Sequence, residues 1–167
     1  PFDALRCDSY RGRPVFRVSP APDKLRDWHP FNPRHAEPFR TVLDRVRPDI
    51  VHFHCIQRLT ATLVQVAAEA GIPYLVTLHD GWWLSDSQFF IDRDGRLHLP
   101  SPDPLDICAV EGVGLPDSVA RRRALADLLG RAAAVLSVSR AFAGLHRRAG
   151  IGNVRVLENG VPALRPL

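Results

Sequence analysis

From Pro48 onward, apolar runs of strand length alternate with stretches of helical spacing, and this alternation constrains the fold more than any single motif. PDIVHFH (48–54) is a β-branched run opened by a proline, and LTATLVQVAAEAG (59–71) follows at helical spacing with Gly71 as its stop. IPYLVTLH (72–79) is the next strand, DSVARRRALADLLGRA (117–132) a helix capped by Asp117 or Ser118, and AAVLSVS (133–139) a further strand. SRAFAGLHRRAG (139–150) reads as a helix capped by Ser139 and stopped at Gly150, and NVRVLENG (153–160) as a last strand and turn. Continuously apolar strands separated by helices predict an α/β domain, a Rossmann-like parallel sheet with helices on both faces. A length of 167 residues suits one such domain, spanning 1–167.

In sheets of this kind ligands sit at the carboxyl ends of the strands. His54, His79, Asp80, Ser139 and the Glu158–Gly160 turn all fall at such ends, so they are expected along one edge of the sheet although about a hundred residues separate them. The stretch 80–116, rich in Pro, Gly and Asp, reads as a long loop, and a loop of that length inside a compact domain is usually functional. Before Pro48 the pattern is weaker. RPVFRVSP (13–20) reads as a strand and 37–46 as a helix, with a proline-rich loop between them. No glycine-rich phosphate loop follows any strand, and a doubly wound domain would open with one more strand–loop–helix unit, so the chain reads as a fragment lacking its first unit.

The polar residues at the strand ends admit more than one chemistry. His52 and His54, two apart on a strand, project from the same face. With Cys55 beside them they could begin the ligand set of a metal-dependent hydrolase, or be a hydrogen-bonded packed residue (His52) and a polar cleft residue (His54). His79 and Asp80 close the strand YLVTL, either as a catalytic or sugar-binding pair or as a satisfied buried histidine and a turn-forming aspartate. Trp82 and Trp83, after Gly81, are core anchors or faces against which a sugar ring stacks. Ser139 reads as a helix N-cap whose helix start also offers N–H groups to an anion; no GxSxG elbow surrounds it, which argues against a nucleophile.

Composition narrows the classes. Net charge is +4, yet the basic residues are scattered apart from Arg121–Arg123 and Arg147–Arg148, both on predicted helices and read as solvated faces; no nucleic-acid motif accompanies them. Of the 22 basic residues only Lys24 is not arginine, a bias that reflects a GC-rich coding genome. Three cysteines far apart, Cys7, Cys55 and Cys108, fit neither a disulfide framework nor a metal clip. No apolar run approaches the ~20 residues of a spanning helix, and no signal peptide opens the chain, so the expected location is the cytoplasm.

Taken in order and spacing, RPDIVHFHC, YLVTLHDGWWL, AAVLSVSRAF and VRVLENGVP resemble the N-terminal domain of the retaining glycosyltransferases of family 4, which have the two-domain GT-B fold. The resemblance runs from about Pro48 to Pro162. HDGWWLSDSQFFIDRDGRLH followed by DIC resembles a subgroup that often acts in bacterial capsule, exopolysaccharide or O-antigen assembly, although of that subgroup's several loop cysteines only Cys108 is present.

The resemblance implies a nucleotide-diphosphate sugar as donor, held mainly by a C-terminal domain absent here, a saccharide or lipid-linked acceptor held by this half, retention of configuration and no metal cofactor. His79 matches the histidine facing the donor sugar, Asp80 and Trp82 the positions toward the acceptor, with Gly81 and Trp83 beside them as candidate binding residues, His54 the second histidine of HxH at the cleft floor, and Asn159 and Gly160 the turn into the interdomain linker. Because the first unit and the donor half are missing, the isolated chain is expected to be inactive. Many members dock on the inner membrane face, and an exposed sheet edge is expected to support a homodimer. A hydrolase built on His52 and His54 and a non-catalytic saccharide-binding module are the alternatives.

Overall fold

A computed structural model describes residues 5–19, 25, 28–103, 105–108, 110 and 112–160. Pro20, Lys24 and the Val161–Pro162 end of the family-like segment lie outside the described residues. The chain forms a two-stranded antiparallel hairpin, β1 (Arg6–Tyr10) and β2 (Arg13–Arg17), followed by an α/β unit. That unit comprises α1 (Ala36–Val46), β3 (Val51–His54), α2 (Thr62–Glu69), β4 (Tyr74–Leu78), α3 (Leu115–Arg131), β5 (Ala134–Ser137), α4 (Arg140–Arg148) and β6 (Val154–Val156). Strands β3 to β6 pair in parallel in chain order.

The hairpin turns at Arg11 and Gly12, both left-handed with φ of 50° and 75°, the backbone of a tight two-residue turn. β2 is the strand expected around 13–17. β1 has no counterpart among the expected strands, because RCDSY carries no apolar alternation and forms by pairing across the turn. An ion pair across it, Arg17 Nε to Asp8 Oδ2 at 2.7 Å, is exposed.

The parallel sheet has two unlike faces. On one, Phe53, Val76, Val135 and Val154 lie in register across all four strands, each at most 4% exposed. The other carries His52, Leu75 and Ala134 in one row and His54, Thr77, Leu136 and Arg155 in the next, and is half-open. Because strand order follows chain order, every crossover steps the same way, and right-handed crossovers then set α2, α3 and α4 on the same side. The contacts agree: Phe39 of α1 meets Phe53 at a ring separation of 6.1 Å, Tyr74 donates its hydroxyl to Leu128 O of α3 at 2.6 Å, and Ala143 of α4 joins the same apolar cluster. The alternation implied helices on both faces; the described helices pack on the Phe53 face, as sequential strand order requires.

Helix ends follow local chemistry. α4 starts where Ser139 Oγ accepts the Phe142 N–H at 3.1 Å, the cap expected from the sequence. α3 starts at Leu115, before the expected Asp117 or Ser118, because Gly114 is extended and Pro116 suits a first turn whose N–H groups need no partner. Ser118 is instead drawn inward, donating its hydroxyl to Asp86 of the long loop.

Candidate functional site

The strand ends of β3 and β4 meet at a histidine cluster on the half-open face. The two-residue strand period puts His52 and His54 side by side, their ring centroids 4.1 Å apart. His52 is anchored: its Nε2 lies 2.7 Å from Oγ1 of buried Thr77 on the neighbouring strand. One step on, His54 Nδ1 lies 2.9 Å from His79 Nε2, and both rings are exposed. Burial of the ring, and then the neighbouring His52 and His79, hold the His54 pKa below the usual histidine range, so His54 favours its neutral imidazole.

Directly after His54 the chain turns sharply at Cys55, whose φ of 42° is unusual for a residue with a side chain. Burial, with Asp80 nearby, pushes its thiol pKa up, which disfavours a reactive thiolate.

Asp80 is occupied within the loop. Its Oδ2 accepts from the amides of Gln57 and, at 2.8 Å, Gln88; its Oδ1 accepts the Trp82 N–H at 3.0 Å. The carboxylate therefore ties the β3–α2 connection to both arms of the loop beginning at Gly81, the turn-forming alternative raised by the sequence. Gly81 is a packing glycine: a Cβ there would lie 2.5 Å from two ring carbons of Phe90 and 2.9 Å from Gln88 O. Its N–H donates to Gln88 O at 2.7 Å, closing the loop back on itself.

Trp82 and Trp83 belong to the core. They are 2% and 5% exposed and meet edge to face at 5.4 Å, so neither turns a free face to solvent. Trp82 is held from above by a residue whose cluster suggested a solvated face. Arg121 is 2% exposed, donating Nε to Trp28 O at 2.8 Å, Nη1 to Ser85 O at 3.2 Å and Nη2 to Trp82 O at 2.7 Å, with Asp86 at 3.7 Å. Burial lowers its pKa to about 10, partly offset by Asp86, so it stays charged. Arg122 reaches the loop carbonyls of Ser101 and Asp103; of the three arginines only Arg123 fits the solvated-face reading. The signal that distinguishes Arg121 is spacing: it stands at helical intervals from Leu125, Leu128 and Leu129, on the buried stripe of α3.

The remaining sequence-predicted positions are dispersed. Ser139 lies at the end of β5 with its side chain committed to the cap, and Asn159 and Gly160 are exposed in the coil after β6. All follow carboxyl ends of parallel strands, but only His54, His79 and Asp80 are linked to the cluster by short contacts or adjacency. Among the described residues no group of three or more His, Cys, Asp or Glu side chains is placed to hold a metal ion. No helix is long and apolar enough to cross a membrane, among the described residues.

The sequence of residues 3–160 matches a family model described as a glycosyl transferase 4-like domain. No curated protein and no solved structure matches the chain significantly.

Proposed function

This chain belongs to the glycosyl transferase 4-like family, and on that premise we propose that it is the acceptor-side half of a two-domain enzyme transferring a sugar from a nucleotide-diphosphate sugar. The acceptor is a saccharide or a lipid-linked saccharide, and transfer retains the anomeric configuration. A donor-binding domain closes over the carboxyl edge of the sheet, in the manner general to ligands of such sheets.

The observation that carries this reading is the His54–His79 contact. Two neighbouring parallel strands end in exposed, hydrogen-bonded imidazoles on the half-open side of the sheet, with the family-like loop folded beside them. His79 meets a hydroxyl of the donor sugar near the reacting carbon. Asp80 contributes by fixing the loop that borders the acceptor, and Trp82 and Trp83 anchor that loop from within. Asn159 and Gly160 lead toward the linker to the second domain. Charge develops on the departing diphosphate, so the chemistry rests on positioning and electrostatic stabilisation, with no metal called for at this half.

The test compares this chain alone with the same chain joined to a donor-binding half. Release of nucleoside diphosphate that depends on acceptor, and an anomeric configuration in the product equal to that of the donor, are expected only for the joined protein. Turnover of a nucleotide sugar by the isolated chain, or an inverted product, would overturn the proposal.

A further inference from the structure

The histidine pair has a direction. A neutral imidazole carries one N–H, so between two neutral rings with His54 Nδ1 and His79 Nε2 at 2.9 Å one nitrogen donates and the other accepts. If His54 donated from Nδ1, both rings would be forced into the Nδ1–H form, the less stable tautomer of histidine in water. If His79 donates from Nε2, both rings keep the more stable Nε2–H form. His79 Nδ1, on the far side of its ring, is then bare, and it has no hydrogen-bond partner among the described residues.

We propose that His54 is a positioning residue that accepts the Nε2–H of His79 and so presents His79 Nδ1 as an acceptor for a saccharide hydroxyl. The inference rests on the proposed saccharide chemistry only for the identity of that hydroxyl. His54 is itself supported from behind: its ring lies 4.1 Å from that of His52, tilted at 48°, and His52 is pinned through Nε2 to buried Thr77 at 2.7 Å. A buried threonine on one strand thus sets, through two histidines on the next, the face that His79 turns outward. A ring nitrogen that is to accept a hydrogen bond from a hydroxyl must be bare before substrate arrives, and a protein hydrogen bond to the other ring nitrogen is the usual way to fix that tautomer.

The experiment is a long-range proton–nitrogen NMR correlation of the imidazole rings in the ¹⁵N-labelled chain near neutral pH, with no sugar present. The expected wild-type pattern is His79 protonated at Nε2 and bare at Nδ1. His54→Phe removes the acceptor at an exposed site, and His79 should then move to the averaged signals of exchanging tautomers while the ring signals of buried His146 stay in place. His54→Asn, whose side-chain oxygen falls near the position of Nδ1, should restore the wild-type His79 pattern. A His79 protonated at Nδ1 in the wild type, or one whose pattern His54→Phe leaves unchanged, overturns the proposal. Since the readout needs no transfer, it fails or succeeds independently of the glycosyltransferase assay.

Discussion

The guanidinium carbon of Arg121 lies 4.8 Å above the ring of Trp82 while Nη2 donates to the carbonyl of the same residue at 2.7 Å. One buried side chain of α3 thereby holds the first turn of the long loop both through its backbone and through its aromatic face. The loop carries His79's immediate neighbours, so the geometry of the strand end depends on a helix whose arginine stands about forty residues further along the chain.

Removing that arginine should be costly. Arg121→Met leaves three loop carbonyls without their donors and buried Asp86 without its cation, and losing one partner of a buried pair typically costs about 3–5 kcal/mol. Exposed Arg123→Ala should stay within about 0.5 kcal/mol of wild type. Urea denaturation of both variants decides the matter; equal midpoints would mean that the Arg121 network contributes nothing.

Gly81→Ala tests the loop closure. The added methyl would sit 2.5 Å from the Phe90 ring and 2.9 Å from a backbone oxygen, so either the ring or the turn must move, at about 1–3 kcal/mol by the usual cost of overpacking. Pairing it with Phe90→Leu, which withdraws the ring, should recover part of the loss in thermal melts. A fully additive double variant would show that the ring is not the obstacle.

Acid should destabilise the fold through His146. This side chain is fully buried in α4, with Nδ1 3.0 Å from Phe142 O and Nε2 without a hydrogen-bond partner among the described residues, and burial pushes its pKa down to about 4 from 6.5. The unfolded chain therefore takes up the proton first. The stability linked to this group is whole above pH 6.5 and drains as pH falls toward 4, by on the order of 3 kcal/mol. Unfolding free energies measured across that window should fall less steeply in His146→Leu than in wild type, and parallel slopes would contradict the assignment.

His79 and Trp82 should separate function from stability. In the protein joined to a donor-binding half, exposed His79→Ala should leave the melting temperature nearly unchanged while lowering sugar transfer about a hundredfold or more. Trp82→Ala should instead cost roughly 3–5 kcal/mol, because it opens a cavity beneath Arg121. Wild-type transfer rates in the His79 variant would remove that residue from the mechanism.

Much of this architecture is legible in the residue pattern. The order of β3 to β6 and the helices between them follow from apolar periodicity, and the strand ends single out His54, His79 and Asp80. Boundaries move by a few residues where turns and caps decide them, as at Gly114, where extended backbone and Pro116 start α3 earlier than Asp117 suggests. The hairpin strand β1 leaves no trace in its own residues, since among the described residues it pairs only with the strand across the turn. Gln57 and Gln88, which hold Asp80, are equally silent: a glutamine in a loop acquires a role only from the carboxylate that folding brings to it.

By itself, the sequence determined the class of fold and the edge of the sheet where chemistry belongs, because the two-residue and 3.6-residue periods of apolar side chains are local properties that a chain carries before it folds. The tertiary structure alone decided which polar and aromatic residues face that edge and which support it from inside. Tryptophans that could have stacked on sugar lie in the core, and an arginine that looked solvated lies over one of them. Burial and hydrogen bonding are set by neighbours distant in sequence, so the exposed His54–His79 pair and the buried Trp82–Arg121 pair become distinguishable only when β3, β4 and α3 are packed together.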